Sequence, residues 1–275
     1  MLVPNTPASS PASDSMNDLV DQLFADGVAH SAQWSFPSKK LINESDRQKV
    51  IEELRSRFSQ SVDLLYQLPP RETDSIRAAF YNPSDNWFFS VFQSAGYDAA
   101  VCGKTFLRWL AGEVNTIVLC GDGLSLAKTV FNAVSSCFPF AIIDRDINSV
   151  PSMASACTRA SLYCVPFVDR RPDPIMLHLM EGNSATCMFQ GEVVHVRPMQ
   201  MLIHCVDPSI AHGFVAKNAS LFFMPDHHSK TSQCFSPRTE LRDFVYNSSE
   251  RHCDMNVHCK RDNRLCSSCA RNDCS

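Results

Sequence analysis

Apolar residues recur at helical spacing through the first part of the chain. Over residues 17–27, Leu19, Val20, Leu23 and Phe24 share one face, Asn17 is placed to cap the start, and Gly27 to stop the end. Over 45–66 the apolar positions are Ile51, Leu54, Phe58, Val62 and Leu65, again three and four apart, and Pro69-Pro70 ends the run. A third helix is predicted after Pro83-Ser84, carrying Trp87, Phe88, Val91 and Phe92 up to Gly96. A fourth, over 98–112, buries Val101, Phe106, Leu107 and Leu110. Residues 16–112 therefore read as a helical subdomain.

At Asn115 the period changes. Short apolar runs at 115–120, 138–143, 161–168, 201–206 and 219–224 alternate with segments of helical pattern. That alternation predicts an α/β core over 113–225, with a mainly parallel sheet covered by helices. Over 186–196 two apolar runs flank Gln190-Gly191, a β-hairpin pattern. Residues 1–15, rich in Pro and Ser with little to bury, are expected to be disordered. After Pro225 the apolar content falls, so 226–249 reads as a polar linker and 250–275 as a cysteine-rich tail.

Charge removes one function class. A net charge of −4 gives no global attraction to DNA, so a nucleic-acid role must come from a local patch. There is no run of eighteen apolar residues, and the N-terminal stretch lacks the apolar core of a signal peptide, so a soluble, intracellular chain is expected. The 13 cysteines fall into two groups. Those from Cys102 to Cys205 stand singly among apolar residues and read as small buried hydrophobes. The others crowd between Cys234 and Cys274, which in a reducing compartment argues for metal before disulfides. Cys266-x2-Cys269 has the spacing of a zinc knuckle. Cys253 and Cys259 would complete four ligands, with His252, His258 or Cys274 as substitutes. Arg251, Lys260, Arg261, Arg264 and Arg271 interleave with these residues, but Glu250, Asp254, Asp262 and Asp273 leave only a slight basic excess.

The candidate chemistry lies at the change of period. Asn115-Thr-Ile-Val-Leu-Cys-Gly121 is a strand ending in glycine, followed by Asp122-Gly-Leu-Ser-Leu-Ala-Lys-Thr129 and a helical pattern carrying Val130, Phe131 and Val134. This is the order of a phosphate-binding loop, in which backbone N–H groups and a lysine hold phosphates and a Ser/Thr hydroxyl holds Mg²⁺. Gly121, Lys128 and Thr129 are the candidate nucleotide-site residues. Counting back from Lys128, however, Ala127 stands where the second glycine belongs and Asp122 where the first does, so Gly121 fits only if the loop has grown by one residue. A β-carbon and an added negative charge both oppose polyphosphate binding there. A retained strand–helix turn with a solvated lysine is the reading these changes favour. Asp169, at the end of the 161–168 run, could hold Mg²⁺ or pair with the adjacent Arg170 and Arg171.

Several blocks together resemble a known family, the superfamily 3 helicase portion of parvovirus Rep/non-structural proteins. Leu19-Val-Asp-Gln-Leu-Phe-Ala-Asp-Gly-Val with Gln33-Trp34 is similar to the opening of the family's helical oligomerisation subdomain. Ser94-Ala-Gly-Tyr-Asp98 through Phe106-Leu-Arg-Trp109 resembles the helices before its ATP site. Asn115-Thr-Ile-Val-Leu-Cys-Gly resembles the strand entering its phosphate-binding loop, and Phe138-Pro-Phe140 the next strand. The resemblance spans roughly 17–224 and implies an AAA+-like core. Departures from the family's pattern are as telling. Ser161-Leu-Tyr-Cys-Val-Pro-Phe-Val-Asp169 ends in one carboxylate where the family has a pair, and the family's sensor asparagine falls on Asp207. The 186–196 hairpin has Gln190 and Glu192 where the family has DNA-contacting lysines, and the arginine expected before the last core strand is absent from Lys217-Asn-Ala-Ser-Leu-Phe-Phe. The family's upstream nicking domain is not expected, as the chain begins at the helical subdomain.

The resemblance implies a DNA virus that is a parvovirus or captured such a gene, for instance an avian adenovirus, and a protein acting in the host cell, in the nucleus. Three functions follow as expectations. The first is a non-catalytic Rep-like scaffold or regulator that does not use ATP or magnesium. The second is a residual ATPase or helicase subunit. The third is a host-protein adaptor acting through a zinc-binding tail. Expected partners are viral or host proteins, with DNA contact and homo-oligomerisation open and no membrane.

Overall fold

The computed structural model describes residues 11–25, 44–60, 64–69, 82–157, 160–189, 192–224 and 233–248. Strands form where apolar residues run without alternation. β1 (Thr116–Cys120), β2 (Ala141–Ile143), β3 (Leu162–Val168), β6 (Gln200–Cys205) and β7 (Ala219–Phe223) make one five-stranded sheet in the order β2-β3-β6-β1-β7. Every neighbouring pair in it is parallel. A strand covered on both faces must be apolar on both, and β1, β6 and β7 are buried at every position. Ile117, Leu119, Leu202 and Phe222 enter one core, while Val118, Cys120, Ile203 and Phe223 enter the other.

Helices cover both faces. α4 (Trp87–Ser94) and α5 (Ala99–Leu110) lie with α6 (Leu126–Ser135) in the first core. Side chains cap both of the first two: Asn86 accepts from Phe89 N at 3.0 Å, and Asp98 from Ala100 N at 3.1 Å. α7 (Val150–Ala156) and α8 (Pro174–Met180) line the second core. β4 (Ala185–Phe189) and β5 (Glu192–Val196) form the expected antiparallel hairpin, with Cys187 and Val194 toward that core and Met188 and Val193 exposed. A short α9 (Pro208–Ala211) follows β6.

The structure corrects the sequence reading in three places. First, α1 (Pro11–Ala25) starts within the stretch expected to be disordered, because proline in a first turn lacks only an N–H that would be unpaired anyway. α1 packs Val20 and Leu23 against Val50, Ile51 and Leu54 of α2 (Glu44–Gln60), and Asp21 pairs with Arg57. The single helix expected over 45–66 is α2 followed by a short α3 (Leu64–Gln67).

Second, the linker expected over 226–249 contains α10 (Pro237–Tyr246), whose Leu241, Phe244 and Val245 are buried in the first core. Its polar residues are used structurally: Arg238 donates to Phe24 O (2.9 Å) and Gln67 O, and Glu240 Oε2 accepts from Trp87 N at 2.9 Å. α10 approaches α5 so closely that a Cβ on Gly103 would lie 2.8 Å from Phe244 O.

Third, no packing boundary separates the helical part from the sheet at 112/113. The rings of Phe92 (α4) and Phe106 (α5) contact each other, and each contacts Phe222 (β7) and Phe244 (α10), at centroid distances from 5.5 Å (Phe92–Phe244) to 6.1 Å (Phe106–Phe244). Aromatic pairs at such distances stabilise beyond their buried area.

Candidate functional site

From β1 the chain leaves for β2 and β3, returns as β6 on one side of β1, and then forms β7 on the other. The strand order therefore reverses at β1. In open α/β sheets ligands bind outside the carboxyl ends of the strands at such a reversal. The loop after β1 occupies this position.

Gly121 N donates to Cys205 O at 2.9 Å. A Cβ at this position would lie 2.5 Å from both Met224 O and Ser125 Oγ, so only glycine fits the passage. Leu124 N donates to Asp122 Oδ1 at 2.8 Å, a turn of the kind Asp favours, and leaves the Leu124 side chain exposed. Ser125 stands at the N-cap of α6, but its hydroxyl donates to Asp122 O at 2.6 Å instead of capping the helix. Thr129 Oγ1 donates to Ser125 O at 3.3 Å, within its own helix.

Lys128 does not extend into water. Its Nζ lies 3.7 Å from the ring centroid of Phe167 and 5.1 Å from that of Phe131, and burial lowers its pKa. Phe167 sits where the pairing of β3 with β6 shifts register, between Val165 and Val168, and has φ 58°. The same ring meets His204 edge-on at 5.5 Å. His204 is fully buried in β6, with Nε2 2.8 Å from Gly121 O. A carbonyl can only accept, so Nε2 carries the proton and Nδ1 is the bare nitrogen, which has no hydrogen-bond partner among the described residues. Burial pushes the His204 pKa down to about 4.

Cys120 and Cys205 are register partners at the ends of β1 and β6. The neighbouring Cys205 thiol and burial push the Cys120 thiol up, and Cys205 Sγ donates to Asp207 O at 3.3 Å. Asp207 caps α9 by accepting from Ser209 N at 2.8 Å, and hydrogen bonds from Ser209 hold its pKa down. Asp169 is exposed and makes no hydrogen bond or ion pair among the described residues. The ion pair considered for it is not formed with either neighbour. Arg170 pairs instead with Asp146, and Arg171 packs over Gly213.

Gly121, Lys128 and Thr129 are thus brought together on one loop and helix start, and Asp169 lies two strands away across β6. Among the described residues, no group of three His, Cys, Asp or Glu is arranged to hold a metal ion. Cys253, Cys259, Cys266 and Cys269 lie outside the described residues. Sequence reasoning missed Phe167 and His204. The available signals were Pro166 interrupting an apolar strand and a histidine inside the buried run Met201-Leu-Ile-His-Cys205.

Compared with family models, the chain matches the one described as parvovirus non-structural protein NS1 over residues 9–147, just over half its length, from α1 through the loop to β2. None of the curated proteins compared matches it. Among the described residues no helix is long and apolar enough to cross a membrane.

Proposed function

The chain belongs to the parvovirus NS1 family, and from that premise we propose that it is a Rep-like viral protein whose nucleotide site no longer turns over ATP. It acts in the infected host cell, in the nucleus, as a scaffold or regulator of viral DNA replication or of a host protein. The five parallel strands with the loop at their reversal support an AAA+-like, helicase-derived core.

One observation carries the loss of turnover: three polar side chains around the loop are already bonded to the chain's own backbone. Thr129 is bonded to Ser125, Asp207 to Ser209 and His204 to Gly121. Phosphoryl transfer needs a metal ligand, a water-positioning group and a phosphate cradle free to face substrate. Removing one such element typically costs ~10²–10³ in rate, and several are altered here. The test is calorimetric titration of the full chain with Mg-ATP, followed by a steady-state hydrolysis assay. Turnover at about 1 s⁻¹ or faster, the low end of enzymes, and lost in Lys128→Ala, would refute the reading.

The free carboxylate of Asp169 favours a second reading, a residual ATPase subunit completed by an intact partner in mixed oligomers. In that case hydrolysis appears only when the partner is added. The tail adds a separate role: Cys266-x2-Cys269 with Cys253 and Cys259 supports zinc, and the zinc-bound tail is the surface for protein contact. Gln190 and Glu192 argue against DNA contact through the hairpin.

A further inference from the structure

We infer that Phe167 is the internal occupant of the phosphate-binding end of the loop, and so the residue that decides whether this loop takes an anion. The inference rests on the reading of the loop as a silenced nucleotide site and names the group that silences it.

Contacts at three different parts of the loop carry it. The ammonium of Lys128 lies 3.7 Å from the Phe167 centroid, at contact distance to the ring. A Cβ on Gly123 would lie 3.5 Å from Phe167 Cε1, so the ring covers the loop backbone itself. The ring edge abuts His204, whose Nε2–H holds Gly121 O.

The backbone is shaped to the same end. A bulky aromatic at φ 58° is a genuine outlier, and it falls where β3 slips against β6. Such conformations persist only where the surrounding structure enforces them, and they cluster at functional positions. Phe167 remains 54% exposed, so filling the core does not account for its placement. A polyphosphate would have to displace the ring from both Lys128 and Gly123 before reaching the loop.

The experiment uses the full chain with inorganic pyrophosphate and Mg-ATP as calorimetric probes. Phe167→Gly removes the ring and also accepts the positive φ, whereas Phe167→Leu keeps bulk without an aromatic face. Phe167→Gly is expected to bind pyrophosphate at least roughly 10-fold tighter than the unmodified chain, about 1.4 kcal/mol, within the range of a partly desolvated cation–π pair. The gain should disappear when Lys128→Ala is added. Equal or undetectable binding in the unmodified chain and a folded Phe167→Gly overturns the inference, as does a gain that survives Lys128→Ala. Should Phe167→Gly not fold, Phe167→Asn replaces it, because Asn tolerates the left-handed region. On the unmodified chain, NMR should show the Lys128 methylene protons next to Nζ shifted upfield by the ring, and unshifted protons overturn the contact. ATP turnover by the unmodified chain would refute the preceding functional reading, whereas unchanged affinity in Phe167→Gly refutes only the role of Phe167.

Discussion

His204 gives the site a measurable pH signature. Its ordinary value of 6.5 falls to about 4 in the fold, because burial disfavours the charged ring. Between these values the unfolded chain binds a proton that the folded chain does not, so stability rises with pH. It is complete above about pH 6.5 and is lost as the pH falls toward 4. From pH 7 to pH 5 the loss from this one group should be about 2 kcal/mol. Urea unfolding at the two pH values checks it. His204→Gln, which can still donate to Gly121 O but does not titrate, should show a correspondingly smaller loss. An equal loss in both proteins would assign the acid sensitivity to other groups. At this scale the sequence was only half legible. Gly121, Lys128 and Thr129 could be picked out because a strand–loop–helix order has fixed spacing. Phe167 could not, because a slip in strand register and a reversed φ leave no mark in an apolar string.

Among the elements, α10 ties the helices of the first core to one another. Phe244 stacks on Phe92 with ring planes 5° apart and packs near Phe88 at 5.8 Å. Arg238 and Glu240 tie the same helix to α1, α3 and α4. Phe244→Ala should cost about 3–5 kcal/mol, the usual range for emptying a buried aromatic site. Denaturant unfolding checks this, and a loss below 1 kcal/mol would mean that α10 is peripheral. The strands were legible because parallel strands buried on both faces are continuously apolar. α10 was not, because Arg238, Glu240, Arg242 and Asp243 look like solvent-facing letters. In the fold Arg238, Arg242 and Asp243 are buried, and Arg242 Nε donates to Asp243 Oδ1 at 2.8 Å. A charge with a fixed partner is compatible with burial, and a sequence does not show the partner.

For the whole molecule, the expected division is between a folded body ending with α10 and a metal-dependent tail. The purified full chain is expected to carry about one zinc, bound through Cys266, Cys269 and two of Cys253, His258 and Cys259. Elemental analysis of the unmodified protein against a Cys266→Ser, Cys269→Ser double variant decides it, and equal metal content would remove the idea. Chelation should leave the main unfolding transition in place, because among the described residues both cores are filled by side chains up to Tyr246. The expected helical subdomain at 16–112 was legible as helices but not as a unit, because α4 and α5 complete the core of the sheet.

The strand order also sets a timetable for biosynthesis. β1 is made early, yet Thr116 pairs with Met201 and Ala219, so its hydrogen-bonding partners on both sides emerge last. At about 5–20 residues per second, roughly a hundred residues of translation leave this doubly apolar strand unpaired on the ribosome for about 5–20 s. The nascent chain is therefore a natural client for chaperones that bind apolar segments, and a chain stalled before residue 200 would present β1 as an adhesive edge.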